Sequence, residues 1–226
     1  LSLLQMGRMM RIWQNTSVPD LISALLKESG INDVELQLHG TYPKREYCVQ
    51  YRESALAFIQ RLLQEEGIYY FFRHSTSAHT LVLADHPASH ANISGEKLAW
   101  HHQGEIITGG TIASWAASVG LLPASVEMQG FNMPQTAAID DQKKARSADK
   151  SISSVTFTDI TPQGERALIT RQAQTAMAAR EANIRHFVAT VNAHWLSCGE
   201  VFTLTGHPSG DKAYNIQQLE LEASNN

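Results

Sequence analysis

Residues 45–74 compress a strand, a helix and a second strand into thirty positions, and that order limits the fold more than any other stretch. Tyr47, Val49 and Tyr51 alternate with Cys48 and Gln50, the period of a half-buried strand, and the alternation predicts the first three on the inner face. From Ala55 the period lengthens. Ala55, Phe58, Ile59, Leu62 and Leu63 mark the i, i+3, i+4, i+7, i+8 stripe of a helix. Ser54 is placed to cap its start, and Gly67 to end it in the left-handed conformation. Residues 68–72, which include Tyr69 and Phe71, then run apolar and aromatic, as a strand buried on both faces does.

The rest of the chain sets broader bounds. Its 226 residues suffice for one large β domain or two small ones. A net charge of -4 gives no electrostatic footprint for nucleic acid or an anionic membrane. The aromatic residues interleave with aliphatic ones rather than with Lys and Arg, so they read as core. Cys48 and Cys198, both in predicted strands, form neither a disulfide framework nor a zinc knuckle, which points to folding in a reducing compartment. No apolar run reaches the length of about eighteen residues that a membrane-spanning helix needs. Residues 1–10 lack the apolar core and cleavage site of a signal peptide.

Along the chain, Ser17, Pro19 and Asp20 open a first helix, 18–29, with Val18, Leu21, Ile22, Leu25 and Leu26 as its buried stripe and Gly30 as its stop. Val34, Leu36 and Leu38 alternate as a strand, and residues 75–78 read as a hairpin loop. The polar, turn-rich stretch after His86 predicts a connector. The organisation expected is therefore a first segment over 1–86, with helices 18–29 and 54–66, a connector over 87–99, and a second, barrel-like segment over 100–226. Within the latter, strands are expected at 105–107, 124–128, 154–158, 188–196, 201–204 and 214–221, with a mobile loop over 137–150. A helix is expected to start at Thr161-Pro162 and to carry Leu168, Ile169, Ala173, Ala176 and Met177. This order is α+β and mainly β, with antiparallel strands and three short helices rather than βαβ winding.

The stretch from Arg45 to Phe72 closely resembles the signature of VgrG proteins, the spike proteins of type VI secretion systems. These are relatives of phage tail baseplate hubs and late control proteins, and their strand reads roughly R-x-Y-C-V-Q-Y-R-E-S before L-A-F-I-x-R-L-L-x-E-E-G-I-Y-Y-F-F. Arg11-Ile12-Trp13-Gln14-Asn15 with Ser17-Val18-Pro19 is similar to the family's R-I-F-Q-x-x-S-V-P element. The run from His79 to Asp85 and the run from Gly199 to Pro208 resemble two further family strands. The likeness is strong over 11–86, loose over 100–190, and returns at 196–222. It implies an antiparallel β-barrel hub of the phage tail type, with Tyr47, Val49, Tyr51, Phe58, Leu62, Gly67, Tyr69 and Phe71 as a structural signature in the packed centre of a barrel. It also implies a homotrimer that caps a hexameric Hcp-like tube and meets effector proteins or baseplate components. The subunit would wait in the bacterial cytoplasm and then be exported without a signal peptide. The family's leading strands, its oligonucleotide-binding-like barrel and its β-helical needle are expected to lie outside this chain, and only that needle would touch a target membrane. A phage baseplate hub is the alternative host for the same architecture.

His86 and His90 have the i, i+4 spacing of helical zinc sites, but Pro87 and the turn-rich context predict a solvated loop. His101-His102 reads as a surface pair and His207 as a turn residue. Ser147 with Lys150, and Ser209 with Lys212, match Ser-x-x-Lys, the basis of a possible Ser/Lys hydrolase. Both pairs lie in polar segments where the lysine would keep its charge. Glu65 and Glu66 are adjacent carboxylates that one helix would aim in different directions. Trp13, Trp100, Trp115 and Trp195 are dispersed, which gives no support to a sugar-binding surface. No catalytic residue, metal site or cofactor is expected, and the chain reads as a structural protein rather than an enzyme.

Overall fold

The computed structural model describes residues 1–101, 109–132, 136–144, 155–161 and 164–222. Among them the chain forms three α-helices and thirteen strands, mainly β as expected, in two compact units. One unit comprises residues 1–31, 41–68 and 118–186, and the other 32–40, 69–117 and 187–226. The expected linear division at 87–99 therefore differs from the division by contacts, because strands distant in sequence pair within each unit.

In the first unit, β1 (Met9–Thr16) pairs antiparallel with β3 (Arg45–Glu53). Helix α1 (Val18–Glu28) begins where the Ser17 hydroxyl accepts from the Asp20 N–H at 3.4 Å. It buries Val18, Leu21, Ile22, Leu25 and Leu26 as its stripe predicts. Helix α2 (Ala55–Glu66) is capped by Ser54 and ends at Gly67, whose φ of 72° is left-handed. Helix α2 packs against α1 and α3, and its fully buried Phe58 and Leu62 each contribute about 1.5–3 kcal/mol by leaving water. A second sheet has the order β10-β8-β9, with β8 at Ser125–Asn132, β9 at Ala137–Lys144 and β10 at Thr156–Ile160.

Helix α3 (Arg166–Ala182) lies against that sheet through Ile169, Ala173 and Met177. It starts later than Thr161-Pro162, because Thr161 still donates its N–H to Gln129 O, at 2.8 Å, in line with β10. Residues 137–144, expected in a mobile loop, form β9 and pair with β8 along its length. Their charges mask a strand that buries Ile139 and whose Asp141 accepts from the Thr170 hydroxyl of α3.

The second unit holds the sheet β2-β5-β4, with β2 at Val34–Gln37, β4 at Tyr69–His74 and β5 at His79–Ala84. Its larger sheet has the order β11-β7-β6-β12-β13. Those strands are β6 (Asn92–Trp100), β7 (Thr111–Val119), β11 (Arg185–Val191), β12 (Val201–Thr205) and β13 (Lys212–Asn215). Ile93, Leu98, Ile112, Phe202, Leu204 and Ile216 form its core. Several departures from expectation fall here, among them the strand expected at 188–196, which runs instead as β11 and ends at Val191. Strand β6 occupies most of the expected connector, β7 has no counterpart in the sequence reading, and the last strand stops at Asn215 instead of reaching Leu221. Cys198 lies in a turn, not a strand. The strand expected at 105–107 lies outside the described residues. The sheets are mixed: β2·β5, β6·β7, β6·β12 and β8·β10 are parallel, each pair joined through a crossover rather than a hairpin.

Candidate assembly surface

The signature strand β3 has the expected period and the opposite phase. Cys48 and Gln50 are buried, while Tyr47 and Tyr51 are 56% and 61% exposed. Cross-strand neighbours share a face, so the antiparallel register sorts the side chains. Trp13↔Cys48 and Arg11↔Gln50 lie on one face, and Met10↔Tyr51, Ile12↔Val49 and Gln14↔Tyr47 on the other. Helix α2 already supplies bulk through Phe58 and Leu62, leaving room for a thiol and an amide. The Gln50 amide is half satisfied: its Nε2 donates to Glu53 O at 3.2 Å, while the buried Oε1 has no hydrogen-bond partner.

The outer face of β1·β3 is consequently apolar. Met10 and Ile12 are 68% and 60% exposed beside the two tyrosines. The edge strands β10 and β11 add Phe157, Ile160 and Val188 to the exposed apolar surface of their sheets. Contiguous exposed apolar surface and unpaired strand edges are what a subunit contact covers.

A charged clamp ties β3 to α2. The Arg45 guanidinium, 9% exposed, donates Nη1 to Glu65 Oε2 and Nη2 to Glu66 Oε1, both at 2.6 Å. Arg61 reaches Glu65 Oε1 at 3.1 Å and Glu53 Oε1 at 2.6 Å. Arg171 of α3 approaches Glu66 Oε2 at 3.4 Å, donates to Thr41 O at 2.6 Å and lies over the Tyr42 ring. Burial pushes the Arg45 guanidinium down, and the hydrogen bonds of Glu66 and Glu65 more than offset it, leaving it above its ordinary value. Burial raises the Cys48 thiol against the smaller opposing effect of Arg45, so this thiol is a poor nucleophile. Glu65 and Glu66 are thus not a reactive pair: one forked cation ties both to β3. The signal that sequence reasoning missed was Arg45 itself, on the strand that precedes the helix.

The remaining candidates do not assemble a reactive site. His86 and His90 flank a short turn, Pro87–Ser89, rather than lying on an α-helix. The His86 Nδ1 accepts from the Ala88 N–H at 3.1 Å. His90 is half-buried, stacked on Tyr69 and close to Phe71, with Nδ1 2.8 Å from Gly199 O. Tyr69 donates its hydroxyl to His86 O at 2.8 Å. The Ser209 hydroxyl lies 2.7 Å from His207 Nδ1 within an exposed turn, an arrangement that closes the turn. His102, Ser147 and Lys150 lie outside the described residues. Trp100 and Trp115, distant in sequence, meet around His207, and Trp115 also meets Tyr214. Among the described residues, no group of three or more His, Cys, Asp or Glu is placed to hold a metal ion. No described helix is long and apolar enough to cross a membrane.

Known proteins share this architecture. The family model for the phage tail baseplate hub (GPD) matches residues 1–226. Over 80 residues the chain is 49% identical to the type VI secretion system spike protein VgrG1b of Pseudomonas aeruginosa, a stretch covering 35% of this chain and 11% of that protein. The chain therefore spans a small part of the length of the curated relatives it matches. The fold recurs in a tail protein from Neisseria meningitidis, with a TM-score of 0.66 and 13% identity over 94% of this chain and 64% of that one. It recurs also in the E. coli c3393 protein, described as a component of the type VI secretion system with structural similarity to bacteriophage tail proteins. There the TM-score is 0.59 and the identity 17%, over 91% of this chain and 43% of that one.

Proposed function

The chain belongs to the phage tail baseplate hub family, and from that membership we propose that it is a structural hub subunit of a type VI secretion spike. In this reading it is not an enzyme. Three copies assemble around an axis and cap a hexameric Hcp-like tube, and the spike leaves the bacterial cytoplasm with that tube and carries effector proteins. The observation that supports the reading is the outward apolar face of β1·β3, where the signature residues Tyr47 and Tyr51 stand exposed beside Met10 and Ile12. The two compact units per chain support the stoichiometry, since three copies supply six units to a six-membered ring. Those two interleaved units, rather than the linear segments 1–86 and 100–226, are proposed to contribute one hub barrel each, with Phe58, Leu62 and Gly67 holding the first.

Sedimentation equilibrium tests the proposal. The expected result is a trimer that Ile12→Glu and Tyr51→Glu each convert to monomer without loss of the circular dichroism spectrum. A wild-type chain that stays monomeric at about 100 μM, where RT ln Kd is near -5.5 kcal/mol, overturns it. A phage baseplate is the second host for the same architecture, favoured by the fold shared with the Neisseria tail protein. Neighbouring genes for capsid and tail sheath, in place of secretion components, would identify it.

A further inference from the structure

The hairpin of β4 and β5 ends in two histidines that no assembly role requires. His74 and His79 are cross-strand partners at its turn end, both exposed, with Nδ1 2.8 Å from Nδ1. Their placement is fixed from three sides. The ladder sets the register, Phe72 stacks on the His74 ring at 6.1 Å, and the two imidazoles meet nearly edge to face at 4.9 Å. The loop that joins the strands leaves both rings alone. Ser75 N–H donates to Ala78 O at 2.9 Å, and the Ser75 hydroxyl accepts from Ala78 N–H at 3.0 Å. Two ring nitrogens are therefore brought to 2.8 Å, a spacing at which an Nδ1–H of one ring donates to the Nδ1 of the other.

We infer that His74 and His79 form a two-imidazole chelate for a divalent transition-metal ion such as Zn²⁺, which clamps the two strands together at the turn end of the hairpin. A tetrahedral ion with Zn–N bonds of about 2.0–2.1 Å separates its two nitrogens by roughly 3.3 Å, so the pair opens by about half an ångström. Exposed rings on a hairpin end make that adjustment by small side-chain rotations. The proton leaves Nδ1 for Nε2 of the same ring, which keeps both imidazoles neutral and gives each Nδ1 a lone pair for the ion. Imidazole suits zinc, nickel and copper(II), with copper(II) bound most tightly. The other coordination positions fall to water, because no third His, Cys, Asp or Glu joins the pair among the described residues. The site is open and exchangeable rather than a closed structural zinc site. The contrast within the same unit is His39 with His86. Those rings also lie 5.2 Å apart, but the His86 Nδ1 is occupied by the Ala88 N–H.

The inference does not depend on the hub assignment, and its test does not involve assembly. Titration of the purified chain with ZnCl₂ in a calorimeter should show one saturable ion per chain with micromolar affinity. His74→Ala and His79→Ala should each weaken it by about tenfold or more, as expected when a chelate loses half its protein ligands, and His39→Ala should leave it unchanged. Zinc should also raise the melting temperature of the wild-type chain and not that of His79→Ala. Both substitutions are at exposed positions, and an unchanged circular dichroism spectrum confirms that each variant folds. The inference is overturned by no saturable zinc binding in the wild type. It is equally overturned by binding that survives both hairpin substitutions, or by binding lost in His39→Ala and retained in His79→Ala.

Discussion

Removing Arg45 is the sharpest test of how the signature segment is held. Arg45→Met keeps much of the side chain's length and deletes the charge, leaving the Glu66 carboxylate, 3% exposed, without its partner at 2.6 Å. Breaking a buried ion pair from one side costs about 3–5 kcal/mol, because the remaining charge stays desolvated. Arg171, 3.4 Å from Glu66 Oε2, supplies part of the compensation, and Glu65 keeps Arg61 at 3.1 Å. The expected cost therefore falls near the lower end, about 3 kcal/mol. With a urea m-value of about 2 kcal/mol/M, the midpoint drops by about 1.5 M. The decisive comparison is with Arg45→Met/Glu66→Met, which leaves neither charge buried and should recover most of the loss. Urea unfolding followed by tryptophan fluorescence reads all three proteins. A single substitution costing less than about 1 kcal/mol refutes the clamp, and so does a double variant whose loss equals the sum of the two singles.

Gly199 has φ 85°, and a Cβ there would overlap the Phe71 ring, so Gly199→Ala combines left-handed strain with overpacking and should cost about 2–4 kcal/mol in urea unfolding. A loss below about 0.5 kcal/mol means that the Gly199–Phe71 contact is not formed in solution. For the thiols, Cys198 is partly exposed and Cys48 is buried in β3 with its thiol pushed above the ordinary range. Ellman's reagent near pH 8 should therefore label one thiol per native chain quickly and the second only on unfolding, and equal labelling rates would contradict the burial of Cys48.

What could be read from the sequence follows how local each determinant is. Helices α1 and α2 were legible because Ser17, Ser54, Gly67 and the apolar stripes lie within one or two turns of the bonds they govern. Strands β6 and β7 were not. Their pairing is parallel, and the partner that completes β6, strand β12, lies a hundred residues further along. Strand β9 was hidden for another reason: Ile139 is its buried apolar residue, Asp140 is exposed and Asp141 meets Thr170 of α3, so composition imitates a loop. The interleaving of residues 32–40 with 69–117 and 187–226 leaves no composition boundary for a linear reading to find. Arg45 looked like an ordinary strand terminus, and its fork onto Glu65 and Glu66 depended on α2 folding back across β3.

The reversed phase of β3 has a cause of a different kind. Alternation reports which row of a strand leaves water, and it identifies the inner row only when the outer row stays wet. On the proposed assembly β3 loses water on both faces: Cys48 and Gln50 to α2, and Tyr47 and Tyr51 to a neighbouring copy. Along β3 that places Tyr47 and Tyr51 on the row that the proposed neighbour would cover, and the smaller Cys48 with Gln50 on the buried row, to which β1 adds Trp13. Size, not polarity, then separates the two rows of β3. Tyr, Val and Tyr against Cys and Gln reads as inside against outside in a lone domain, and as outside against inside in a subunit.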